Sequence, residues 1–186
     1  EFFSYEPGEL IRTLTKVNWP VWDFFRQSTS GKLLEVSTIN ALFDMFATLV
    51  SPEQSMLLDG FPRNMPNMYH FLAHERKLHR NVMWIYLDLN KNVALQRLLN
   101  RYYYKKDGHL YPVLPKDIEQ YKEQGYEIVH RDDDNEQAIK TRMDIYQRET
   151  MPVIRHFEDE GLLFRVDADQ SIDDVYADIK RLIERE

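Results

Sequence analysis

One stretch constrains the fold of this chain more than any other. Val82-Met83-Trp84-Ile85-Tyr86-Leu87 is a continuous apolar run of strand length, and Asn90 follows it as the cap of a helix from Lys91 to Arg101. A strand covered on both faces shows such an unbroken run, which is characteristic of parallel sheets with helices packed on each side. The order recurs upstream, where Ser55-Met56-Leu57-Leu58 stops at Asp59-Gly60-Phe61-Pro62 and Asn64 and Pro66 start a helix reaching about His79. It recurs again downstream, where Leu162 to Val166 precedes Ser171-Ile172-Asp173-Asp174, a capping-box-like start to the closing helix. Strand-then-helix alternation predicts a parallel α/β sheet with helices on both faces.

The remaining segments attach to that sheet. Phe2, Phe3 and Tyr5 read as a short strand ended by Pro7-Gly8, followed by a helical pattern through Leu10, Ile11, Leu14 and Val17 and a second from Pro20 to Ser30. Ser37 and Thr38 are predicted to cap a helix carrying Ile39, Leu42, Phe43, Phe46 and Leu49, closed by Ser51-Pro52. Between Tyr102 and His130 periodicity is lost, which predicts an irregular lid or binding loop outside the sheet. Asp133 or Asp134 then caps a long helix through Tyr146 to about Glu160, which Pro152 should kink and Gly161 should end. A chain of 186 residues favours a single domain, 1–186, over two full-sized ones.

Composition narrows the chemistry. The formal net charge of −7 argues against nucleic acid or a membrane as partner while permitting a local basic pocket. Zero cysteines exclude a disulfide scaffold, a thiol nucleophile and a zinc site built on Cys ligands. No apolar run approaches the ~20 residues of a membrane span, so a cytoplasmic protein is expected. His70 and His74 have helix-face metal spacing, but with no third ligand nearby they read as solvent-exposed, as do His109 and His130, and no metal site is assigned.

Arginines stand where structural roles do not account for them. Arg63 follows a strand end and its turn, the place where open α/β sheets bind ligands. Arg97 and Arg101 are four apart on one helix face, where like charges repel unless an anion lies between them. Arg131 precedes Asp132-Asp133-Asp134, Arg142 returns three helical turns later, and Arg12 sits one turn after Gly8. Any one alone reads as a solvated charge. Together, guanidinium forks from separate elements suit a polyphosphate, and hence a phosphorylated small molecule.

These residues carry a resemblance. Leu57-Leu58-Asp59-Gly60-Phe61-Pro62-Arg63, then Arg131-Asp132-Asp133-Asp134-Asn135-Glu136 with Arg142 eleven beyond Arg131, resembles the adenylate kinase family of nucleoside monophosphate kinases. Gly8-Glu9-Leu10-Ile11-Arg12 and Gly31-Lys32-Leu33-Leu34 resemble the ends of that family's monophosphate-binding arm (about 6–50), and Gly108-His109-Leu110-Tyr111 an element of its lid (about 101–134). The likeness spans essentially the whole chain and implies a P-loop-kinase-like fold and ATP:AMP phosphotransferase activity in nucleotide metabolism, in a monomer. It further implies that Arg12 and Arg63 hold the acceptor phosphate, with Lys32, Leu33, Leu34 and Gly60 lining its base and ribose and Asn67 reading the base. Arg97 would cover the donor adenine and Arg101 its phosphates, with Leu110, Tyr111 and Gln170 on the donor nucleoside. Arg131 and Arg142 would bridge the two substrates' phosphates, Asp133 and Asp134 would orient the lid, and Asp59 would act through water on the Mg²⁺ that accompanies ATP.

The sequence departs from the family in places. No Gly-x-x-x-x-Gly-Lys-[Ser/Thr] loop occurs: Gly31-Lys32 has Arg26 where the first glycine belongs and Leu33 where the hydroxyl belongs. The family's first strand, P-loop and first helix are thus absent from this chain, which opens Glu1-Phe2-Phe3 without Met. The expectation is a portion of a complete enzyme, inactive alone, with a non-catalytic nucleotide-binding pseudo-kinase as the alternative. Strands near Phe2 and Leu57 are then expected to lack a neighbour beside Val82 and Phe164. Pro7 stands where a threonine usually bonds the acceptor, and Asn67 replaces a longer glutamine. Tyr102, Tyr103 and Tyr104 either stack nucleobases or hold the lid to the core. Glu158-Asp159-Glu160 reads as a solvated helix end.

Overall fold

The computed structural model describes residues 3–8, 35–51, 53–107, 109–130 and 135–184. Two compact units emerge, one of Glu1–Tyr86 with Arg142–Phe164 and one of Leu87–Thr141 with Arg165–Glu186. The helices expected around Leu10–Val17 and Pro20–Ser30, and the caps Asp133 and Asp134, lie outside the described residues.

In the first unit, β1 (Phe3–Tyr5) pairs in parallel with β2 (Met56–Leu58), with Ser4 opposite Leu57, and the Asp59 amide extends the register to the Tyr5 carbonyl at 3.0 Å. Helix α1 spans Val36–Ala47 and α2 spans Met65–Lys77. Asn64 caps α2 as expected, its side chain accepting from the Asn67 amide. The cap expected at Ser37 or Thr38 is corrected: Glu35 occupies that position with no side-chain hydrogen bond, and both hydroxyl residues fall inside the first turn. Leu49, expected on the buried face of α1, lies beyond the helix end and is 69% exposed.

An aromatic core holds these elements together. Phe43 is fully buried and stacks on Phe61, centroids 5.2 Å apart, while Tyr5, Ala47 and Phe71 complete the cluster. A second cluster joins Met68, Val153 and Phe157, with the Phe157 ring stacked on Trp84 at 3.7 Å. Large aromatic contacts of this kind bury much apolar area per residue, so short strands suffice to anchor the helices.

Strand β3 (Trp84–Asp88) pairs with β7 (Leu163–Asp167) as a two-stranded sheet separate from β1–β2. As expected, the two strand pairs are not hydrogen-bonded to each other among the described residues. The full burial expected of these strands is not found: Leu57 and Leu87 are 53% and 48% exposed.

In the second unit, α3 (Lys91–Leu99) is capped by Asn90, whose side chain accepts from the Asn92 amide. The segment Tyr102–His130, expected to be irregular, is ordered. Strands β4 (Tyr102–Lys106), β5 (His109–Val113) and β6 (Glu127–Val129) form an antiparallel sheet in the order β5-β4-β6, with the short α4 (Ile118–Glu123) between β5 and β6. Its rings explain why no alternation marks it: Tyr104 stacks on Tyr111 at 5.1 Å and on Tyr121 at 4.4 Å. Those tyrosines cohere with one another in the small sheet rather than marking a buried apolar face.

Helix α5 (Glu136–Ile145) passes through a π-turn, Tyr146–Thr150, into α6 (Met151–Asp159), which is the irregularity expected from Pro152. Gly161 follows with φ of +69°, the left-handed geometry expected of a helix stop. Ser171 caps α7 (Ile172–Ile183) by accepting from the Asp174 amide. Among the described residues no helix is long and apolar enough to cross a membrane.

Candidate functional site

The turn after β2 is the most specific part of the site, and it belongs to the first unit. Asp59 and Gly60 are exposed at the strand's C-terminal end, Gly60 has φ of +66°, and the Phe61–Pro62 peptide is cis. Arg63 folds back over this turn: its Nε donates to the Gly60 carbonyl at 2.6 Å. A Cβ at residue 60 would lie 2.6 Å from Arg63 Nη2, so glycine is required both for its backbone angle and for the space the guanidinium occupies. The Arg63 carbonyl accepts the Thr150 hydroxyl at 3.0 Å, which ties the turn to the end of the π-turn.

Asn67, on the first turn of α2, is 2% exposed. Its Nδ2 donates to Asn40 Oδ1 at 2.7 Å and to the Val36 carbonyl at 3.3 Å. The amide thereby joins α2 to α1. Pro7 is buried, and Arg142 is half-buried on α5. Tyr5 brings a buried hydroxyl with no hydrogen-bond partner among the described residues; burial, with the Asp44 carboxylate nearby, pushes its pKa up to about 12.

His70 and His74 are not free surface residues. Both are half-buried, with His70 Nε2 2.6 Å from Asp44 and His74 Nδ1 2.8 Å from Glu75. Glu75 is itself 3% exposed and is also faced by Arg80 at 3.5 Å, so His74 serves a buried carboxylate, whereas His70 meets the exposed Asp44.

The residues assigned to the donor nucleotide lie in the second unit. Arg97 and Arg101 part company despite their helical spacing, because α3 ends at Leu99. Arg97 Nη1 donates to the Ala168 carbonyl at 2.8 Å, with Asp169 3.8 Å from Nη2, while the Arg101 guanidinium lies 5.5 Å over the Tyr103 ring. Leu110 and Tyr111 are exposed on β5. The Gln170 amide donates to the Asp167 carbonyl at 2.9 Å and to Asp178 at 2.8 Å; the bond to Asp178 is the largest influence on that carboxyl and, with the Arg181 contacts, lowers its pKa against an opposing burial effect. A cleft of about 560 Å³ lined by Asp88, Asn90, Arg165, Asp167 and Asp169 adjoins this loop. Its carboxylates suit an uncharged nucleoside moiety better than phosphates.

Arg12, Lys32, Leu33, Leu34, Arg131, Asp133 and Asp134 lie outside the described residues. The sequence reading missed Asn40 and Thr150. Asn40 is signalled by an amide set among the apolar positions Ile39, Leu42 and Phe43 of α1; Thr150 has no local signal beyond its place before Met151-Pro152.

No family model matches the chain. It is similar to the protein named adenylate kinase from Methanocella arvoryzae, at 33% identity over 155 residues, covering 78% of this chain and 71% of that one. The adenylate kinases of Rickettsia africae and Rickettsia bellii are 26% and 27% identical to it, each covering 95% of this chain and 84% of the relative. The described strands and helices fit the α/β, P-loop-kinase-like fold of such nucleotide-metabolising kinases, and the chain belongs to the adenylate kinase family.

Proposed function

We propose that the protein catalyses reversible phosphoryl transfer from Mg·ATP to AMP, giving two ADP. The observation that carries this reading is the Arg63 guanidinium held over the Gly60 turn at the C-terminal end of a parallel strand. That placement offers a fixed bidentate donor for a phosphate monoester at the position where open α/β sheets take their ligands.

The division of labour follows the family resemblance. Arg63 and Arg142, with Arg12 and Arg131, take the phosphates, where positioning and electrostatic stabilisation do most of the work of phosphoryl transfer. Asn67 meets the acceptor base through its carbonyl oxygen, its amide nitrogen being spent on α1. Arg97, oriented by Ala168, offers a planar face to the donor adenine, and Arg101 a charge to its phosphates. Mg²⁺ would accompany ATP, and the exposed carboxylate of Asp59 would contact it through water.

A coupled ADP-formation assay on the native gene product, comparing AMP, CMP, UMP and GMP as acceptors, tests this. AMP is expected to give the highest kcat/KM, and no ADP with any acceptor overturns the reading. The sequence holds no Gly-x-x-x-x-Gly-Lys-[Ser/Thr] run, which favours a second reading, nucleotide binding without transfer. AMP uptake by calorimetry without ADP formation identifies that case.

A further inference from the structure

We propose that Thr150 is a positioning residue for Arg63, acting on its main chain from the π-turn between α5 and α6. The proposal rests on the reading that Arg63 grips the acceptor phosphate.

The π-turn has an identifiable origin. Pro152 stands at the start of α6 and has no N–H to donate to the carbonyl of Arg148, four residues back. Next to it the Met151 amide donates to the Tyr146 carbonyl, five residues back rather than four, which is the π pattern. Thr150 closes this turn. In a continuous helix a threonine hydroxyl commonly returns to a carbonyl three or four residues earlier. A hydroxyl has one proton, and here it goes to Arg63, 87 positions away in the chain.

That bond falls on the joint that matters. On one side of Arg63, its own Nε–H is fixed to the Gly60 carbonyl. On the other, Asn64 is fixed as the cap of α2 and is 6% exposed. The peptide linking Arg63 to Asn64 is the main-chain element between these anchors, and Thr150 holds its oxygen. Loss of that anchor would let the main chain at Arg63 shift away from the π-turn and carry the guanidinium off Gly60. Thr150 thus sets the direction in which Arg63 presents its donors.

The test compares wild type, Thr150→Val and Thr150→Ser by NMR, reading exchange of the Arg63 Nε–H with water, with the Arg97 Nε–H as control. Loss of one net hydrogen bond should speed Arg63 exchange ~3–10-fold in the valine variant. The serine variant should stay near wild type, and Arg97 should not respond. AMP affinity by calorimetry should fall and recover in parallel. Unchanged Arg63 exchange in the valine variant, failure of serine to restore it, or equal acceleration at Arg97 overturns the proposal. If Arg63 responds as described but wild type takes up no AMP, the Thr150–Arg63 link stands and the acceptor reading alone is overturned.

Discussion

Asn67 of α2 lies with its Nδ2 2.7 Å from Asn40 Oδ1 of α1, a buried amide resting on a half-buried one. The pair, together with the Val36 carbonyl, is a polar tie beside an aromatic helix contact built on Phe43 and Phe71, to which His70 and Asp44 add a second polar link. Asn40→Leu removes the acceptor and leaves a buried Asn67 donor without it, which should cost ~1–3 kcal/mol in urea unfolding. The double variant Asn40→Leu/Asn67→Leu should regain part of that loss, since both polar groups are then gone. A double variant less stable than the additive expectation would refute the pairing.

Gly60→Ala tests the Arg63 perch. The left-handed φ should cost ~1–2 kcal/mol of stability. The steric conflict falls on the far end of a flexible side chain, Arg63 Nη2, and should therefore appear as displacement of the guanidinium rather than as unfolding. Calorimetry should show AMP affinity reduced by about tenfold or more, out of proportion to the change in melting temperature.

Tyr5→Phe should stabilise the protein. The buried phenol has no hydrogen-bond partner among the described residues, and removing such a group recovers ~1 kcal/mol at neutral pH. The pH dependence has a definite sign. A tyrosine pKa raised from its usual 10.0 to about 12 in the folded state means that the folded protein holds this proton more tightly. Its contribution is complete below pH 10 and is lost as pH rises toward 12. Urea midpoints measured across that window should fall more steeply for wild type than for Tyr5→Phe.

How much of this was legible in the sequence depended on whether the determining interaction was local. Asn64, Asn90 and Ser171 could be read as caps because an N-cap side chain bonds a backbone amide two or three residues on. The Asp59-to-Arg63 turn was legible as the loop at a strand end for the same reason. The ordered sheet of Tyr102–Val129 was not, since rings meet between elements, Tyr104 on Tyr111 of the neighbouring strand and on Tyr121 of α4. Arg97 and Arg101 suggested an anion held between them, yet the end of α3 at Leu99 sends one to Ala168 and the other over Tyr103. The Thr150 contact was out of reach because it depends on both a π-turn and a partner 87 positions away.

The most direct test of the account is the steady-state kinetics of ADP formation from Mg·ATP and AMP by the native gene product, with and without Arg63→Ala. The account predicts two ADP formed per ATP consumed, and a loss in kcat/KM for AMP on the order of 100-fold or more in the variant. Wild-type turnover left intact by Arg63→Ala, or no ADP formed with any nucleoside monophosphate, would contradict it.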